Sequence, residues 1–132
     1  GMQQRCFSYI DDCLYCLNAL AFQDNVVGEI INIGPDEEPI TINELADACA
    51  NETGINLDPI YHKDRPKEVK LAVCSSDKAR KLLGYSTATD MRQSVRKTAE
   101  YIRTRGTKKF QYHLPLEIIN DKTPETWKNK LI

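Results

Sequence analysis

The sequence predicts a small α/β domain of short strands and about four helices. Three observations carry that reading: four segments with apolar residues at helical spacing, short β-rich runs between them, and Gly or Pro punctuation where segments stop. Phe7 to Tyr9 reads as a short strand. Asp11 or Asp12 can then cap a helix that carries Leu14, Leu17, Leu20 and Ala21 on one face and runs to Gln23. After the break at Asp24-Asn25, residues 29–33 form a β-rich run closed by Gly34-Pro35. Thr41-Ile42-Asn43-Glu44 is a capping box that opens the second helix, with Leu45, Ala46, Cys49 and Ala50 as its apolar stripe and Gly54 as its stop.

Leu57 to Tyr61 reads as another strand. His62 to Lys70 is polar, charged and interrupted by Pro66, which predicts an exposed loop before the apolar segment Leu71 to Cys74. Ser75 or Ser76 caps a short helix through Ala79, Leu82 and Leu83 to Gly84, and Thr89 or Asp90 starts a longer one to Gly106. From Thr107 the chain is irregular, with Thr123 to Thr126 able to start a last helical turn.

At 132 residues, 41% hydrophobic and 28% charged, the chain suits one globular domain. Its 18 basic and 19 acidic residues nearly cancel, so no global field draws it to nucleic acid or an anionic membrane. The basic stretch from Arg92 to Lys109 reads as a solvated face, because Glu100 interrupts it, its single aromatic, Tyr101, makes no stacking platform, and cations near a helix C-terminus complement the macrodipole. No apolar run is long enough to span a bilayer. Five scattered cysteines suggest reduced thiols and a cytoplasmic location. Cys13-x-x-Cys16 is one pair without a second, so buried thiols are expected and no metal. His62 and His113 are each isolated.

The residues suited to chemistry are Arg5, Asn32 and the charged loop Asp64-Arg65-Pro66-Lys67-Glu68. Guanidiniums present the planar donor forks that phosphates need, and Glu68 or Asn32 can accept from sugar hydroxyls. Taken alone, each arginine reads more readily as a solvated or salt-bridged surface residue than as a phosphate contact.

In order along the chain stand Arg-x-Phe-x-Tyr-Ile-Asp-Asp (Arg5 to Asp12), Asn-Ile-Gly (Asn32 to Gly34), Thr-Ile-x-Glu-Leu, Asp-Arg-Pro (Asp64 to Pro66) and Ser-Asp-x-x-Lys/Arg-x-x-Leu-Gly-Tyr (Ser76 to Tyr85). Together they resemble the C-terminal, substrate-binding half of the NAD-dependent epimerase/dehydratase family. These are the extended short-chain dehydrogenase/reductases that act on nucleotide sugars. The resemblance implies a small C-terminal lobe over residues 3–106, with Arg5 and Arg65 binding a substrate diphosphate. It further implies Asn32 as a substrate contact, Glu68 near the ribose, and Asp64 in the same binding loop.

No Gly-x-x-Gly-x-x-Gly turn and no Tyr-x-x-x-Lys occur in the sequence, so the resemblance implies that NAD belongs to a parent enzyme and that the Rossmann domain is absent here. The expected partners are a UDP- or dTDP-sugar, the missing N-terminal NAD-binding domain, and a second copy as a homodimer. Gly1-Met2 reads as an expression scar, and residues 107–132 as an extension packed on the lobe or on a partner surface. The chain is expected to be catalytically inactive alone, within a parent that epimerises or dehydrates its substrate. The alternative is a standalone, non-catalytic nucleotide-sugar binding module.

Overall fold

The structure, a computed structural model, describes residues 1–109, 111 and 118–131. Three two-residue strands make its sheet: β1 (Gln4–Arg5), β2 (Ile40–Thr41) and β3 (Leu71–Ala72). β1 lies in the middle, antiparallel to β2 and parallel to β3, with Arg5 opposite Ile40 on one side and Ala72 on the other. The first strand therefore begins three residues before the Phe7 to Tyr9 run, which lies outside the sheet.

Two expected strands are not in the sheet. Residues 29–33 keep a strand's alternation, Ile31 and Ile33 packing on the core while Ile30 is 88% exposed. No strand lies beside them among the described residues. Residues 57–61 likewise lie outside the sheet and beside no strand among the described residues, and Ile60 and Tyr61 face solvent. A β-rich pattern describes a pleated surface; only a partner's N–H and C=O groups complete a ladder.

Helix α1 (Ile10–Phe22) starts after Tyr9 rather than at an aspartate cap. Asp12 is committed elsewhere: its buried carboxylate accepts from the N–H of Ala88 (3.1 Å), the N–H of Thr89 (2.9 Å) and the Thr89 hydroxyl (2.9 Å). That bond set turns the helix. Its inward face carries Asp12, Cys16, Ala19 and Leu20, while Leu14 and Leu17, expected in the core, are exposed. Ala21 is exposed as well.

Helix α2 (Ile42–Thr53) carries the capping box as expected: Glu44 N–H donates to Thr41 Oγ1 (3.1 Å), and Thr41 N–H to the Glu44 carboxylate (2.7 Å). α2 and α3 (Asp77–Leu83) both stop at a glycine in the left-handed region, Gly54 at φ 70° and Gly84 at φ 68°. α4 (Met91–Arg105) is capped by Asp90, which accepts from Gln93 N–H at 2.8 Å. A one-turn α5 (Glu125–Lys128) follows Pro124.

The core lies where α1 packs on α3. Cys16, Val26, Ala79, Leu83 and Tyr85 form it, backed by Ile31, Ile33 and Leu82. α2 packs on α4. Cys16 is buried and Cys13 half-buried, and no group of metal-ligating side chains occurs among the described residues.

An ion cluster ties α3 to the segment after Gly34. Arg80 bonds Asp36, Glu37 (2.6 Å) and Asp77 (3.1 Å), while Ser76 donates its N–H to Asp36 (2.7 Å) and its hydroxyl to the Gly34 carbonyl (2.5 Å). The Arg80 guanidinium pulls the Asp36 carboxyl down to about 2. In the C-terminal segment Phe110, Tyr112, Leu114 and Leu116, and with them His113, lie outside the described residues. Ile118, Ile119 and Trp127 are exposed.

Candidate functional site

The sheet and one turn bring together residues that are far apart in sequence. Arg5 ends the central strand, and its guanidinium donates to the Gln4 carbonyl (2.6 Å) through Nη1 and to Glu68 Oε1 (3.3 Å) through Nη2. Glu68 lies in the loop that leads into β3, which pairs in parallel with β1. The sheet register thus fixes Arg5 beside that loop.

Within the loop the chain reverses at Pro66-Lys67. The Glu68 N–H closes the turn on the Arg65 carbonyl (3.1 Å), and Lys67 takes a left-handed φ of 58°. Proline at the second position and a positive φ at the third define a type II corner, which ordinarily prefers glycine where Lys67 stands. The reversal returns Glu68 to Arg65, whose Nε donates to Oε2 at 2.6 Å.

One carboxylate therefore bridges two guanidiniums. The Glu68 side chain is only 8% exposed, against 27% for Arg5 and 47% for Arg65. The Arg65 hydrogen bond holds the Glu68 carboxyl below the usual range, and Glu68 in turn pushes Arg65 upward. Two cations to one anion leave the cluster with surplus positive charge and guanidinium N–H groups at the surface, which can receive an anion.

Asp64 stays on the same loop but in a separate pair with Lys70, whose hydrogen bond lowers the Asp64 carboxyl. Asn32 lies on the unpaired 29–33 segment, and its amide donates to the Ser75 carbonyl (3.3 Å). Arg5, Arg65 and Glu68 are thus assembled, whereas Asp64 and Asn32 have hydrogen-bond partners of their own.

The loop also forms one wall of a cleft of about 480 Å³. Tyr61, His62, Asp64, Arg65 and Glu68 line it, and Asp121, Thr123 and Glu125 line it from the C-terminal segment. Nothing in the sequence connects residues 121–126 with this loop, because no periodicity or motif links them.

No family model matches the chain. It is similar to UDP-glucuronate 4-epimerase of Thermodesulfobacterium geofontis, with 28% identity over 101 residues, 76% of this chain and 31% of that protein. Among solved structures it is similar to UDP-glucuronic acid 4-epimerase from Bacillus cereus in complex with UDP-glucuronic acid and NAD, with 31% identity and a TM-score of 0.69 over 80% of this chain and 34% of that one. It is also similar to UDP-glucose 4-epimerase from Thermotoga maritima with UDP-glucose, with 27% identity and a TM-score of 0.67 over 80% and 33%. The chain spans about a third of the length of these relatives.

Proposed function

We propose, from the premise that this chain matches the C-terminal part of the NAD-dependent epimerase/dehydratase fold, that it is the nucleotide-sugar-binding lobe of such an enzyme. The observation that carries the proposal is the meeting of Arg5 and Arg65 on one carboxylate. Two guanidiniums meeting on the two oxygens of one carboxylate suit a diphosphate, which offers each of them a phosphoryl group. Asn32, Asp64 and Glu68 complete the proposed set, Glu68 and Asn32 as acceptors for sugar hydroxyls. A UDP- or dTDP-sugar is the proposed ligand. Binding energy from that remote handle would position the sugar for chemistry done elsewhere.

The helix starts among the described residues do not suit an NAD pyrophosphate. A dinucleotide pyrophosphate is ordinarily received where glycines lead a strand into a helix. Here the residues preceding the helices are Tyr9, Thr41, Ser76, Asp90 and Pro124. We therefore assign hydride chemistry and its cofactor to an NAD-binding domain of the parent protein. The solvent-facing stripe Ile10, Leu14 and Leu17, with Phe22, Val27 and Ile30 beyond it, supports a place for that domain.

Calorimetric titration of UDP and UDP-sugars into the chain, with Arg5→Ala and Arg65→Ala beside it, tests the reading. Each substitution is expected to weaken binding about 10- to 100-fold, the worth of roughly 1.5–3 kcal/mol for a charge-assisted bond. Equal affinity in both variants and the parent chain would remove the clamp.

A further inference from the structure

Glu68 holds both guanidiniums that the proposed ligand needs. Its Oε1 takes Arg5 Nη2 at 3.3 Å and its Oε2 takes Arg65 Nε at 2.6 Å, so neither carboxylate oxygen lacks a cation. Side-chain exposure of 8% places this carboxylate beneath the arginines rather than in bulk water. The turn at Pro66-Lys67, closed by the Glu68 N–H on the Arg65 carbonyl, fixes it there.

We infer that Glu68 is a built-in competitor for the anion site, occupying Arg5 and Arg65 until a ligand with two linked phosphoryl groups displaces it. The inference rests on the diphosphate reading above and adds how that site selects. A monophosphate that replaces the carboxylate exchanges one small bridging anion for another and gains few bonds. A diphosphate gives each guanidinium its own phosphoryl group and brings more charge, so it alone gains enough to drive the exchange. The cost of expelling the carboxylate falls on any anion that spans both guanidiniums, and net selectivity, a difference of two affinities, then follows the larger gain of the diphosphate.

Inorganic pyrophosphate is the suitable probe, because it has no sugar hydroxyl for a displaced Glu68 to accept from. Calorimetry of pyrophosphate and of inorganic phosphate is run on the 132-residue chain and on its Glu68→Gln, Glu68→Asp, Arg5→Ala and Arg65→Ala variants. Glu68→Gln keeps the side chain's size and removes its charge. It is expected to bind pyrophosphate about tenfold more tightly than the unaltered chain. Glu68→Asp, charged but too short to bridge, should fall between. In the unaltered chain the carboxyl carbon resonance of Glu68 should shift as pyrophosphate is added, towards the position of an unpaired carboxylate.

Unchanged or weaker pyrophosphate binding by Glu68→Gln, with binding still lost in both arginine variants, would overturn the competitor and leave the clamp standing. Pyrophosphate affinity that ignores both arginines would overturn the clamp, and the competitor with it. A stationary Glu68 resonance at saturating pyrophosphate would also overturn the displacement.

Discussion

Arg80 and Glu68 stand at the centres of two ion clusters built from the same groups with the charges reversed. Arg80 is one cation among the carboxylates Asp36, Glu37 and Asp77; Glu68 is one anion between the cations Arg5 and Arg65. In the first, one guanidinium faces three carboxylates, and the excess negative charge repels a phosphate. In the second, the central carboxylate is the hidden group, with Arg5 partly and Arg65 about half exposed around it. Charge balance and exposure separate the two, since both use short charge-assisted bonds across distant segments. Joining α3 to residues 34–37 gives the first cluster a purely tethering part, whereas the second can exchange its anion for another.

The sharpest break in this contrast comes from replacing Arg65 or Arg5 by alanine. UDP affinity is expected to fall 10- to 100-fold, about 1.5–3 kcal/mol, with little movement in the thermal midpoint measured by circular dichroism. Arg80→Ala should do the opposite: binding unchanged and a midpoint lower by several degrees.

Acid unfolding sharpens it further. Asp36 has a folded-state value of about 2 against an ordinary 3.8. Its contribution is therefore complete above the ordinary value and disappears as pH falls towards about 2. Glu68 is lowered in the same direction by Arg65. Arg80→Ala should thus move the acid-unfolding midpoint to higher pH, and a midpoint that stays in place would show that Asp36 is not held by Arg80. Ser76→Ala removes the buried hydroxyl bond to Gly34 and should cost about 1 kcal/mol in urea titration. Thr41→Ala, in neither cluster, should cost a similar or smaller amount, roughly 0.5–1 kcal/mol, through the lost cap alone.

Helix starts and stops were legible in the sequence because capping is local chemistry. Thr41 with Glu44, Asp90, Gly54 and Gly84 all lie within a few residues of the groups they satisfy. The inward face of α1 was not legible, because Asp12 answers to Ala88 and Thr89, more than seventy positions away. Nor were the strands, whose definition needs a neighbour: 29–33 has the composition without the partner, while Gln4–Arg5 has the partner with an unremarkable composition. The ordered motifs nominated Arg5, Arg65 and Glu68. They could not indicate that Glu68 touches both arginines, because that depends on the parallel register of β1 with β3 and on a left-handed residue at 67.

The sheet itself is only two residues deep on each strand. Side chains alternate across a strand, so a one-residue slip of β1 would send Arg5 through to the opposite face. So short a ladder contributes little to holding the chain folded, and its measurable output is the direction in which one guanidinium points. The amide hydrogens of Gln4 and Arg5 thereby become gauges of the site: their exchange with solvent should slow when an anion fastens Arg5, in proportion to how firmly it is held.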